Sequence, residues 1–213
     1  MEEKEDNNQE NEVGNKIKKI NFKEIRSWVF IICLAFTLAF LVNSKAYAKV
    51  IVDGPSMEKT LYNKQQLIVD ELSYNFTRPQ RGDIITFYLN ENKGTIVDDL
   101  RRYIDKVFLN KDDEHERLVK RVIGVAGDKI DIKDGSVYVN GEKLKENYTN
   151  GATYLDPGDI KTPITVGKNE LFVLGDHRTD SSDSRVFGTI KLSQVEGKAI
   201  FRVYPFDKMG KIR

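Results

Sequence analysis

The apolar and polar positions of this chain fall into two regimes. From Trp28 to Val42 no residue carries a charge, and the run predicts a single helix. A bilayer span takes about 20 residues. Extension through Asn43 and Ser44, with Lys45 snorkelling, to Ala48 reaches that length and gives a transmembrane helix over 27–48. Beyond Leu61 the rhythm is that of strands. Gln66–Asp70, Asp83–Leu89, Leu118–Val125, Glu170–Leu174 and Lys198–Val203 are short apolar runs bounded by turn residues. From Lys129 the period is two: Ile130, Ile132, Val137 and Val139 alternate with polar residues, and Asp134-Gly135 and Asn140-Gly141 supply hairpin turns. Residues 93–116 are charged, with Leu100, Tyr103, Ile104, Val107 and Phe108 near helical spacing, and predict an amphipathic helix inserted between strands. The fold class expected is mainly β, with frequent turns, behind one N-terminal helix.

Charge decides the orientation of that helix and removes one class of partner. Lys16, Lys18, Lys19, Lys23 and Arg26 precede it, which keeps its N-terminal end in the cytoplasm and the rest of the chain outside. The expected organisation is a cytoplasmic tail over 1–26, whose first dozen residues have a disordered composition, the helix over 27–48 and an extracytoplasmic β-rich domain over 49–213. A rival reading takes the same pattern as a cleaved secretory signal ending at Ala46-Tyr47-Ala48. With 34 Lys+Arg against 33 Asp+Glu, a net charge of +1 gives no reason to expect a nucleic-acid partner. The one cysteine, Cys33, lies in the apolar run, so no internal disulfide can hold the β-rich part.

Three stretches carry candidate chemistry. In Val52-Asp53-Gly54-Pro55-Ser56-Met57 a Gly-Pro bend presents a serine hydroxyl, as a nucleophile requires; otherwise it is a surface turn. Leu118-Val119-Lys120-Arg121-Val122-Ile123 is apolar on both faces of a strand, so periodicity does not tell which cation is buried. Chemistry separates them. Arginine does not deprotonate in proteins, whereas a desolvated lysine does and can take a proton from a serine. Otherwise Lys120 is one more strand lysine. Gly175 to Gly188 is a loop dense in charge and hydroxyls, in which Asp183 and Arg185 can pair. Of the two histidines, His115 lies in a charged run, while His177 beside Asp176 admits a Ser-His-Asp hydrolase. Neither histidine has the spacing of a metal site, and no metal or cofactor is expected.

Together the stretches resemble the type I signal peptidase family in its short Gram-positive form. Val52 to Leu61 is similar to the family's nucleophile box, Arg81-Gly82-Asp83-Ile84-Ile85-Thr86-Phe87 to its second, Leu118 to Asp128 to its lysine box, and Gly175 to Gly188 to its last. The resemblance implies a signal-peptidase-like β-rich catalytic domain and a serine endopeptidase that cuts signal peptides from exported preproteins at the bilayer. It implies Ser56 as nucleophile, Lys120 as general base and Ser181 as a hydrogen-bond partner of the lysine amine. An oxyanion would be held by the Ser56 N–H and a group at the position of Gly54. Asp183 and Arg185 would form a structural pair, with Asp176 in support. Lys59 and Ala126 stand where the family usually has proline, and His177 where it has asparagine; a looser bend after Ser56 is expected. Ile51, Met57, Tyr74 and Phe76 are expected at the membrane surface, and Ala46-Tyr47-Ala48 offers a site for self-cleavage. A different class of function, an inactive or specialised homologue acting as an anchored scaffold in surface-fibre assembly, would be marked by loss of Ser56 or Lys120; both are present.

Overall fold

The computed structural model of the chain describes residues 22–94 and 116–212. Helix α1 (Phe22–Ala46) has 25 residues, and the chain divides into two compact units between Ser44 and Lys45. Among the described residues no helix is long and apolar enough to cross a membrane; the side chains of residues 37–46 of the expected span lie outside the described ones. Tyr47 and Ala48, assigned to that span, instead open strand β1 (Tyr47–Ile51). The reason is pairing. Tyr47 faces Asp70 and Ala48 faces Val69 of β2 (Gln66–Asp70), so the backbone groups of both residues belong to a ladder. The insertion expected as a helix, and His115 with it, lies outside the described residues over 95–115.

The second unit is mainly β. Its remaining strands are β3 (Ile84–Tyr88), β4 (Arg117–Gly124), β5 (Lys129–Lys133), β6 (Ser136–Val139), β7 (Glu142–Lys143), β8 (Ile164–Thr165), β9 (Glu170–Leu174), β10 (Ile190–Lys191), β11 (Val195–Tyr204) and β12 (Gly210–Lys211). A single-turn helix α2 (Ser184–Phe187) precedes β10. The large sheet runs β1-β2-β11-β3-β4-β9-β10, with β12 added on β11. The smaller sheet runs β7-β6-β5-β8. Both hairpins of the smaller sheet form where the sequence placed them. Asp134-Gly135 has φ of 52° and 70°, and Asn140-Gly141 has 54° and 87°; positive φ at both central residues is what a tight, right-twisted hairpin needs.

Burial follows the alternation. Ile130, Ile132, Val137 and Val139 pack with Ile123, Phe172 and Leu174 between the two sheets. A second cluster joins Val50, Val52, Met57, Leu61, Leu67 and Val69 beneath the turn that carries Ser56. A third joins Ile85, Phe87, Val122, Leu171 and Val173 across β3, β4 and β9. Strand β4 is buried on both faces from Lys120 to Gly124, as its apolar sequence on both faces requires.

Candidate active site

The turn between β1 and β2 is held from both sides. Gly54 lies at φ +88°, a conformation that favours glycine. Val52 exchanges two backbone hydrogen bonds with the start of β2, from its N–H to Gln65 and to its carbonyl from Lys64, each 2.8 Å. Met57 and Leu61 are fully buried and pin the turn to the core, and Leu61 N–H donates to the Met57 carbonyl at 2.8 Å. Met57 is therefore not at a membrane surface. Tyr74, also expected there, is partly buried and donates its hydroxyl to Asp83. Ile51 and Phe76 are exposed.

Lys120 comes from the middle of β4, with 3% of its surface exposed. Its Nζ lies 2.6 Å from Ser56 Oγ and is the one hydrogen-bond partner of that hydroxyl among the described residues. The ammonium donates in one protonation state, and the hydroxyl donates to the amine in the other. Burial is the main force on Lys120 and pushes its pKa down to about 8, with Arg185 helping and Asp183, Asp176 and Glu116 pulling upward. The sequence left open which cation of β4 is buried. Both are, and Arg121 is neutralised by Asp176 through Nε at 2.8 Å and Nη2 at 2.7 Å.

The last loop supports the turn through its backbone. His177 N–H donates to the Ser56 carbonyl at 3.0 Å. The carboxylate of Asp183, fully buried, accepts from Gly175 N–H and from Arg185 Nε and Nη2, so the expected pair forms and closes the loop. Asp176 also accepts from the hydroxyl of Thr60. The imidazole of His177 points elsewhere: its Nδ1 is 3.8 Å from Glu58 Oε2 and makes no hydrogen bond. Contact between His177 and Ser56 is thus through the main chain, contrary to the Ser-His-Asp arrangement.

Two expectations are corrected. Ser181 Oγ is buried without a hydrogen-bond partner and does not reach the lysine amine. It packs on Gly175, where a Cβ would meet it at 2.2 Å, while Lys120 is taken up by Ser56. The Gly54 N–H donates to Asn63 Oδ1 at 3.3 Å, so this position brings an asparagine amide against the turn rather than a hydroxyl. The Ser56 N–H makes no hydrogen bond among the described residues. The bend after Ser56 is not loose. Lys59 sits at φ +86°, where no proline could stand, and its Nζ is fixed by the carbonyls of Asn147 at 2.7 Å and Thr149 at 3.1 Å. Sequence reasoning missed these two anchors, together with Thr60, Asn63 and Tyr148.

The family model described as signal peptidase, peptidase S26, matches residues 25–204. Signal peptidase IB of Staphylococcus aureus (strain COL) is 32% identical over 200 residues, covering 87% of this chain and 93% of that protein. Signal peptidase I of Bacillus caldolyticus is 35% identical over 193 residues, covering 86% and 91%. A crystal structure of a signal peptidase I from Enterococcus faecalis V583 aligns with 30% identity over 57% of this chain and 97% of the other, with a TM-score of 0.40. The chain belongs to the signal peptidase family, peptidase S26, and is a serine endopeptidase.

Proposed function

We propose that this chain is a membrane-anchored peptidase that removes N-terminal signal peptides from exported preproteins with Ser56 as nucleophile and Lys120 as general base. The observation that carries the reading is the 2.6 Å approach of a buried lysine amine to a serine hydroxyl on a fixed turn. Neutral Lys120 accepts the Ser56 proton as Oγ attacks the scissile carbonyl. The Ser56 N–H faces the oxygen that becomes negative. The protonated lysine then gives its proton to the leaving amine, and water, activated by the same amine, releases the acyl group. Asp183 with Arg185, and Asp176 with Arg121, hold the loop and strand around the pair. The substrate would lie extended beside a strand, with small side chains at the first and third positions before the cut. The apolar segment of α1 is the proposed anchor, with the basic N-terminal side in the cytoplasm and the second unit outside.

Cleavage of a preprotein in detergent or vesicles by wild type, Ser56→Ala, Lys120→Ala and His177→Ala tests the reading. Loss of cleavage in the first two variants and its survival in the third is expected. A dead His177→Ala beside an active Lys120→Ala would replace the dyad by the histidine arrangement. A wild type that cuts nothing would favour the scaffold.

The pH profile follows from the same lysine. The base must be neutral, and its pKa is pushed down to about 8, so kcat/KM should rise with pH through that region and level off above it. An activity that falls between pH 7 and 9 would contradict the assignment of the base.

A further inference from the structure

Residues 146–151, which nothing in the sequence pattern singled out, receive a cation from each of the three elements that build the site. From the nucleophile turn, Lys59 Nζ donates to the carbonyls of Asn147 and Thr149. From the base strand, the Arg121 guanidinium lies 4.0 Å over the ring of Tyr148. From the last loop, Arg178, fully buried, donates to both oxygens of Glu146 and to Thr153 Oγ1. The backbone joins them as well. Asn150 N–H donates to the Asp176 carbonyl at 2.7 Å, and Arg178 N–H donates to the Asn150 carbonyl at 2.8 Å, a parallel bridge centred on Asn150 and His177. Tyr148 in turn donates its hydroxyl to Glu146.

These contacts have a geometric consequence for the reacting atoms. Ser56 and Lys120 are separated by 64 residues in sequence and meet through one hydrogen bond. Lys59 is three residues from the first and Arg121 is adjacent to the second. A non-glycine residue at φ +86° is held in a conformation that L side chains disfavour, and the side-chain hydrogen bonds of Lys59 among the described residues all go to this segment. We infer that residues 146–151 are the positioning element of the dyad, with the Lys59 ammonium and the Tyr148 ring setting the distance between the nucleophile turn and the base strand. The inference rests on the Ser56–Lys120 reading. Neither residue touches the reacting atoms, so neither is catalytic.

The roles separate in steady-state kinetics of the full chain in detergent on a preprotein with alanines at the first and third positions before the cut. Lys59→Met and Tyr148→Leu should each lower kcat by about 10-fold or more, because misplacement of reacting groups acts on the transition state. KM should change little and the melting temperature by only a few degrees. Lys59→Arg and Tyr148→Phe, which keep a cation and a ring, should recover most of the loss. The double variant Lys59→Met/Tyr148→Leu should lose less than the product of the single losses, since both act through one segment. An unchanged kcat in Lys59→Met and Tyr148→Leu, or a fall matched by loss of folded protein with no recovery in Lys59→Arg and Tyr148→Phe, overturns the inference. Absence of cleavage by the wild type overturns instead the dyad reading on which it stands.

Discussion

Lys120→Met is expected to abolish cleavage and to raise the melting temperature of the same protein. The loss of activity follows from removing the only group within hydrogen-bonding reach of Ser56 Oγ among the described residues. The gain in stability follows from what burial does to the lysine. Its pKa in the folded chain, about 8, lies below its ordinary value of 10.5, so holding it protonated below pH 8 opposes folding by up to about 3 kcal/mol. Between pH 8 and 10.5 the unfolded chain binds the proton more readily than the folded one, and the stability of the wild type rises with pH across that window. Methionine keeps the length and apolar stem and removes the charge. The stabilisation should therefore be greatest below pH 8 and fade toward pH 10. Thermal melts at pH 7 and pH 10, paired with a cleavage assay, measure both halves. A Lys120→Met protein that melts lower than wild type at pH 7 would mean that the ammonium is compensated in place, and the amine would then be no base.

Gly175→Ala is expected to be nearly as damaging at a residue that takes no part in the chemistry. A Cβ there would lie 2.2 Å from Ser181 Oγ and 2.4 Å from the Ser56 carbonyl oxygen. The serine hydroxyl can rotate away, but the carbonyl is backbone and is already held by His177 N–H. The nucleophile turn must shift, and a displacement of about 1 Å costs on the order of 100-fold in rate. Overpacking should also remove about 1–3 kcal/mol of stability. Gly210→Ala, with nothing within 4 Å of its added carbon, is the control and should cleave as wild type does. Equal rates for the two alanine variants would show that the turn tolerates displacement.

How far the sequence could be read depended on what kind of contact each element makes. Strands β5 and β6 follow from alternation because one face of each is buried, and β2 and β9 from short apolar runs between turn residues. Strand β1 is hidden because its first two residues, Tyr47 and Ala48, complete the length that the expected membrane span needs. The two-residue strands β7, β8, β10 and β12 are shorter than any period. At the site, Ser56 and Lys120 were legible because a bend and a doubly apolar strand are unusual places for a hydroxyl and an amine. The pairing of Asp183 with Arg185 was legible from their spacing, whereas that of Asp176 with Arg121 was not, since it joins residues 55 apart. The segment 146–151 left no mark because it is held through backbone groups, one carboxylate and one ring face, which any polar loop possesses.

The order of strands in the large sheet bears on when the enzyme becomes an enzyme. The turn that carries Ser56 hangs from β1 and β2, and Lys120 stands on β4, beside β3. The strand that joins these halves is β11, which pairs with β2 on one side and β3 on the other. In the sequence it follows β1 to β10, and so both Ser56 and Lys120. A chain that has emerged only to residue 190 already holds Ser56 and Lys120, yet lacks the strand that joins the two halves of the large sheet. The joining of the two halves thus waits on β11, whose pairings with β2 and β3 span residues far apart in sequence and so form late.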